Sequence, residues 1–220
     1  MLTIGVCDDH PAIRKVLVRG LRQAGHDVVV AHDGREAVSR LGPEQPLDVI
    51  VMDIGLPDAD GRDVVQALQA AGQRAPVLFL TALGDTHDKL SGFAAGADDY
   101  VVKPFDLREV LARLEVLARR TPNDAEPPGD LRLDPLSFVA RTDTGEVRLT
   151  PTEFRILAAV LARRGEVVRR HAVVAAGWPD GAIVAENTLD SFARRIRNKL
   201  REIDSPVALE TVRGVGFRVP

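Results

Sequence analysis

Asp8, Asp9, Asp53, Thr81 and Lys103 are the residues of this 220-residue chain best equipped for chemistry. Each follows a short apolar run: Leu2–Cys7 precedes the aspartate pair, Leu47–Met52 precedes Asp53, Val77–Leu80 precedes Thr81, and Tyr100–Val102 precedes Lys103. Three carboxylates brought together repel one another and titrate abnormally unless a cation joins them. Oxygen donors select a hard divalent ion, and Mg2+, which keeps several of its waters, suits such a set. A carboxylate beside Mg2+, a lysine and a hydroxyl is equipped for phosphoryl transfer. Asp53 would attack phosphorus and form an acyl phosphate. Mg2+ and Lys103 would neutralise the phosphoryl oxygens, and Thr81 would donate a hydrogen bond to one of them. Taken singly, an Asp-Asp pair is more often a solvated turn, Thr81 a helix cap and Lys103 a surface lysine. Joint placement at the ends of four apolar runs favours the chemical reading. Cys7 reads as a small buried apolar residue, and His10 receives no role.

These positions converge only if the runs are strands of one sheet. With Val28–Ala31 there are five runs, separated by helical patterns such as Ile13–Ala24 and Leu107–Ala118. Near-continuous apolar strands alternating with helices predict a doubly wound α/β domain with a five-stranded parallel sheet, covered on both faces. In such sheets ligands bind beyond the carboxyl ends of the strands, where the five polar residues fall. Residues Thr121–Gly129 (TPNDAEPPG) are polar, Pro-rich and aperiodic. They read as a linker with a maximum reach of about 30 Å.

The second half differs. Strand-like pieces at Leu131–Leu133, Ser137–Ala140 and Val147–Leu149 precede helical stretches near Pro151–Arg164, Arg170–Ala176 and Asn187–Arg201. Thr150-Pro151 is a helix-start signal. Strands at Ala208–Val212 and Gly216–Val219 flank Arg213-Gly214-Val215, so the predicted fold of residues 130–220 is an α+β winged helix. The Asn187–Arg201 stretch carries Arg194, Arg195, Arg197, Lys199 and Arg201 against Asp190, with Leu189, Phe192, Ile196 and Leu200 at helical spacing. A helix segregates much of that apolar set from the basic one. Alone it is more simply a soluble amphipathic helix; the neighbouring wing, with Arg213 near its tip, favours nucleic acid.

Charge divides the same way. Residues 1–120 carry 14 basic and 18 acidic side chains, 121–129 two acidic ones, and 130–220 15 basic and 12 acidic, within a net charge of −3. An acidic first half and a basic second half point to different partners. The longest apolar run, Ile156–Ala162, is far short of the ~18 residues that span a bilayer. The N-terminus lacks a basic stretch followed by an apolar one, so the cytoplasm is expected. Cys7 is the only cysteine, which excludes an internal disulfide.

The segments Val6–Asp9, Met52–Gly61, Leu80-Thr81-Ala82 and Gly96–Phe105 resemble those of response-regulator receivers. With Leu149–Phe154, the basic helix and the wing added, nearly the whole chain resembles the OmpR/PhoB family of two-component regulators. The resemblance implies a flavodoxin-like receiver over residues 1–120, a linker over 121–129 and a winged-helix DNA-binding domain over 130–220. It implies phosphorylation of Asp53 by a cognate sensor histidine kinase. Asp8, Asp9, Asp53 and the Gly55 carbonyl would hold Mg2+, and Thr81, Ala82 and Lys103 would surround the phosphoryl group. The Lys103–Pro104 peptide would be cis, and Tyr100 would couple to Thr81 as the switch. Phosphorylation would promote a homodimer through Lys89 with Glu109, Asp98 with Arg113 and Asp99 with Arg120. Ser191, Phe192, Arg194 and Arg195 would approach bases of double-stranded DNA at tandem half-sites. Thr188, Arg197, Thr211 and Arg213 would meet phosphates or the minor groove. RNA polymerase is a further partner compatible with the family.

The chain also departs from the family pattern. Gly55 stands where a larger residue, commonly Met, is usual, so the acyl phosphate is expected to be more open to water and shorter-lived; Leu83, where Arg is frequent, bears on the same lifetime. Asn187 replaces a frequent Arg, and Phe192 replaces a polar residue. Phe192 either touches thymine methyl groups or turns into the core, and Trp178 either packs beside the DNA backbone or takes a core or loop role. A Mg2+-dependent phosphatase would use the same acidic site, but no cap domain or substrate pocket is evident, and a regulator rather than an enzyme is expected. A winged helix that binds protein instead of DNA is the other rival, opposed by the clustered arginines.

Overall fold

The computed structural model describes residues 1–82, 98–119, 131–179, 181 and 184–220. The first half is a five-stranded parallel sheet of order β2-β1-β3-β4-β5, the flavodoxin-like doubly wound arrangement. Its strands are β1 (Thr3–Cys7), β2 (Asp27–Ala31), β3 (Val49–Asp53), β4 (Val77–Ala82) and β5 (Asp99–Lys103). The helices are α1 (Pro11–Gln23), α2 (Gly34–Arg40), α3 (Gly61–Ala70) and α4 (Leu107–Leu117).

Strand alternation produces two cores. Ile4, Val6, Val49, Val51, Leu78, Leu80 and Val101 point toward α1 and α4, meeting Leu17, Leu21, Val110 and Leu114. Cys7, Ile50, Met52, Val77 and Phe79 point the other way, toward Ala37, Val64, Val65 and Leu68. β3 is buried throughout, which is why it reads as an unbroken apolar run that ends on Asp53. Helix starts are written locally: Asp33, Asp60 and Asp106 cap α2, α3 and α4 by accepting from the backbone N–H of Glu36, Arg62 and Arg108. Gly61 is required where α3 begins, because a Cβ there would collide with the carbonyl of Asp53. The helix that follows the site is thereby seated directly on the strand carrying it.

The second half contains β6 (Arg132–Asp134), β7 (Val139–Arg141) and β8 (Glu146–Arg148) as one antiparallel sheet. Then come α5 (Pro151–Leu161), β9 (Val168–Arg169), α6 (Arg170–Gly177), α7 (Glu186–Glu202), β10 (Glu210–Val212) and β11 (Gly216–Arg218). β9 completes a second sheet of order β10-β11-β9, a three-stranded base from which the β10–β11 hairpin projects as the wing. Gly214 turns the hairpin at φ 71°, a conformation open to glycine at no steric cost. α5 starts with a full capping box: Thr150 Oγ1 accepts from Glu153 N and the Glu153 carboxylate accepts from Thr150 N.

The two halves touch. Ala67 and Ala70 of α3 belong to the same apolar cluster as Phe154, Leu157, Leu161 and Leu133 of the second half. Arg155 of α5 grips the buried Asp63 of α3 with two hydrogen bonds, Nε to Oδ1 at 2.6 Å and Nη2 to Oδ2 at 3.0 Å. Arg74, just beyond α3, donates to the carbonyl of Ala162 at 3.3 Å.

Candidate functional site

Four of the five polar residues read from the strand ends meet: Asp8, Asp9, Asp53 and Lys103. Asp8, Asp9 and Asp53 each offer an oxygen within 4.8 Å of the others, with Asp8 and Asp53 buried and Asp9 more open to solvent. Lys103 Nζ donates to Asp8 Oδ2 at 2.9 Å and to Asp53 Oδ2 at 2.7 Å. The sheet brings this about: β1 and β3 are adjacent, and β5 reaches the same edge through β4. The Lys103–Pro104 peptide is cis, as the family resemblance implies. Loop contacts hold the aspartate pair: His10 N donates to Asp8 Oδ1 at 2.8 Å, and Arg14 donates to the carbonyls of Asp8 and Asp9 at 2.7 and 3.1 Å.

Electrostatics follow from this packing. Burial pushes the Asp53 carboxyl above the usual carboxylate range, against the lowering hydrogen bond and charge of Lys103, while Asp8 adds to the rise. Burial works against the Lys103 charge, but hydrogen bonds and charge from Asp53 and Asp8 outweigh it and raise its pKa. Three carboxylates thus face one ammonium. Burial, followed by the charges of Asp53 and Asp33, holds the Cys7 thiol far above its ordinary pKa, in keeping with an inert core residue.

Gly55 is exposed, its N–H lies 3.4 Å from Asp53 Oδ1, and a Cβ there would meet nothing within 4 Å. Thr81 is buried at the end of β4, its hydroxyl 3.4 Å from the carbonyl of Ala82; Ala82 is exposed. Tyr100 is half-buried on β5, paired in register with Phe79 and packed against the Cys7–Phe79 core. The dimer-face residues divide. Lys89 and Arg120 lie outside the described residues, as do Leu83 and the 121–129 linker. Within one chain Arg113 is already occupied, by Asp99 at 2.7 Å and Glu109 at 2.8 Å, while Asp98 accepts from Val77 N at 3.0 Å.

On α7 the exposed residues include Asn187, Asp190, Ser191, Arg194, Arg195, Asn198 and Arg201, and the buried ones Leu189, Ala193, Ile196 and Leu200. Ser191 Oγ donates back to the Asn187 carbonyl at 2.9 Å, and Thr188 is half-buried. Arg194 and, on the wing, Arg213 are exposed and have no partner among the described residues. Arg197 is engaged within the domain: it donates to the Leu209 carbonyl at 2.6 Å and to the Thr211 hydroxyl, tying α7 to β10. Phe192 and Trp178 both pack against the core of the second half. A hub unmarked in the sequence is Glu153, nearly fully buried, which accepts from Lys199 Nζ at 2.7 Å and faces Arg195 at 3.7 Å. Its capping-box position could have revealed it; its reach to α7 could not.

Comparison with known proteins follows the same division. Residues 4–115 match the response regulator receiver domain, and residues 144–219 match the C-terminal domain of transcriptional regulatory proteins. The chain is 39% identical over 218 residues to the transcriptional regulatory protein TcrA of Mycobacterium tuberculosis, covering 97% of this chain and 85% of that one. It is 36% identical to the response regulator MprA of Mycobacterium bovis, covering 96% and 94%. Among solved structures it resembles the receiver domain of a Francisella response regulator, with a TM-score of 0.52 and 33% identity over 55% of this chain and 98% of that one. No helix among the described residues is long and apolar enough to cross a membrane.

Proposed function

The chain belongs to the OmpR/PhoB family of two-component response regulators, DNA-binding regulators of transcription, and from that premise we propose that Asp53 is its phosphoacceptor, charged by a partner histidine kinase. The observation that carries the reading is Lys103 Nζ held between Asp8 and Asp53 at the carboxyl edge of the sheet. In the transfer, an Asp53 carboxylate oxygen forms a bond to phosphorus while the N–P bond of the kinase phosphohistidine breaks, leaving its electron pair on the imidazole. Lys103 follows the charge from the carboxylate to the phosphoryl oxygens, and the Thr81 hydroxyl donates to another of them, beside Ala82. Asp8, Asp9, Asp53 and the Gly55 carbonyl are the ligands proposed for Mg2+. The fit rests on charge and donor type, since the carboxylates exceed the lone ammonium by two charges and offer only oxygen. Bound there, Mg2+ would neutralise charge on the transferred group.

Residues 1–120 then act as receiver, 121–129 as tether and 130–220 as the DNA-binding domain. Phosphorylation adds about −1.5 to −2 charges at Asp53. Drawing Thr81 toward that charge vacates space that Tyr100 takes up, a two-state element biased by a local charge. Asp98, Asp99, Glu109 and Arg113, with Lys89 and Arg120, form the proposed dimer face. Since Arg113 already pairs with Asp99 and Glu109, dimerisation exchanges pairs within a chain for pairs between chains. Exposed pairs are worth little individually, so this exchange selects the partner more than it stabilises the dimer. On DNA, Ser191, Arg194 and Arg195 of α7 face the bases, while Thr188 and Arg213 meet the backbone or minor groove. Arg197 and Thr211 support this surface by fixing the wing to the helix. The reading is tested by mass spectrometry of the chain incubated with a small-molecule phosphodonor and Mg2+. Wild type should gain one phosphoryl group and Asp53→Asn none; retention of the gain in Asp53→Asn would overturn the assignment.

A further inference from the structure

Phe192 stands in the middle of the basic helix, half-buried against the core of the second half. Its surroundings give it another use. Its ring meets that of Trp178 edge-on, with centroids 5.2 Å apart and planes at 90°. Trp178 caps α6, whose Val173 and Ala176 are fully within the core. One turn further along α7, the Arg195 guanidinium carbon sits 4.1 Å from the Phe192 ring centroid. Glu153 Oε1 lies 3.7 Å from Arg195 Nε, and Glu153 is itself fixed by Thr150 N and Lys199. The guanidinium is thus held on its face by a ring and at Nε by a carboxylate, while its side chain stays 53% exposed.

We infer that Phe192 is a positioning residue: braced by Trp178, its ring orients the Arg195 guanidinium for two hydrogen bonds to a guanine edge in the major groove. The inference rests on the DNA-binding reading above. Stacking suits this role because it leaves the in-plane N–H donors free, and two parallel donors match the O6 and N7 acceptors of guanine. An arginine ordered before contact also loses less freedom on binding. Arg194, its neighbour, is exposed with no such restraint among the described residues. Phe192 therefore acts on specificity through Arg195, and its removal should relax preference at the base pair that Arg195 reads and nowhere else.

The test uses the full chain with phosphodonor and Mg2+. Sites selected from randomised duplex by wild type, Phe192→Leu, Phe192→Tyr and Arg195→Ala are compared, with affinities for the selected site and for unrelated DNA. Phe192→Leu should weaken the selected site about two- to fivefold, the worth of a partly exposed cation–π contact. Affinity for unrelated DNA should hold, and preference should relax at the position that Arg195→Ala relaxes. Phe192→Tyr, which keeps the ring, should match wild type. In an Arg195→Ala background, Phe192→Leu should add nothing. If Phe192→Leu folds poorly, Phe192→Met carries the same prediction. Full specificity without the ring, relaxation at a different position, or additive losses in the double variant would each overturn the inference. Failure of wild type to select any sequence would instead strike at the DNA-binding reading itself.

Discussion

Replacing Arg155 with Met should release the second half of the chain from α3. Asp63 is 1% exposed, and its carboxylate accepts the two guanidinium donors of Arg155 at 2.6 and 3.0 Å. Removing one member of a buried pair strands the other, at a cost of about 3–5 kcal/mol. Here the chain has an escape, because separating α3 from α5 returns Asp63 to water. The separated population should therefore rise by roughly a hundred- to a few-thousandfold. The shared apolar cluster around Ala67 and Ala70 and the Arg74–Ala162 hydrogen bond oppose the separation, but Gln66 Oε1 and Arg74 Nε, buried without partners among the described residues, favour it. Amide hydrogen exchange over residues 61–70 and 151–161 reads the separation directly. Burial pushes the Asp63 carboxyl up, and Arg155 is the main group holding it down. Without Arg155 the rise grows, so protection should be retained in acid and lost as pH climbs through the raised value. Adding Asp63→Leu should restore protection, because two apolar residues can replace a buried pair at little cost. Unchanged exchange in Arg155→Met at neutral pH, or a double variant as open as the single, would refute the reasoning.

Two further outcomes follow from the sites. Gly55→Met, whose added side chain starts in open space, should prolong the acyl phosphate by shielding it from water; equal decay of the phosphorylated protein by intact mass would reject this. Arg213→Ala should lower the slope of log affinity against log salt by about one if the wing arginine meets one phosphate, and an unchanged slope would remove it from the interface.

The acidic site was legible because β1, β3 and β4 are buried on both faces and the edge strand β5 is half-buried around Val101, so each reads as an apolar run whose first polar residue marks the strand end. The basic helix was legible for a related reason: Leu189, Ile196 and Leu200 keep helical spacing and are all buried. Four things were not legible. β9 is two residues long and has no periodicity to detect. The Asp63–Arg155 grip joins positions 92 apart, and each residue looks like an ordinary charge on a soluble helix. Phe192 left two readings open, thymine contact or core, and nothing in the sequence signalled that its ring would be half-buried on Trp178 with Arg195 over its face. The Arg197–Thr211 hydrogen bond joins two positions that the sequence marks as DNA-contact candidates, and only the fold of the wing onto α7 could reveal it.

The central claim, that charge at Asp53 governs DNA binding, is tested most directly by measuring affinity for a selected duplex with and without a small-molecule phosphodonor and Mg2+, in wild type and in Asp53→Ala. The account predicts tighter sequence-specific binding on adding phosphodonor to wild type and no response in Asp53→Ala. Specific binding that ignores phosphodonor in wild type, or responds equally in Asp53→Ala, would contradict it.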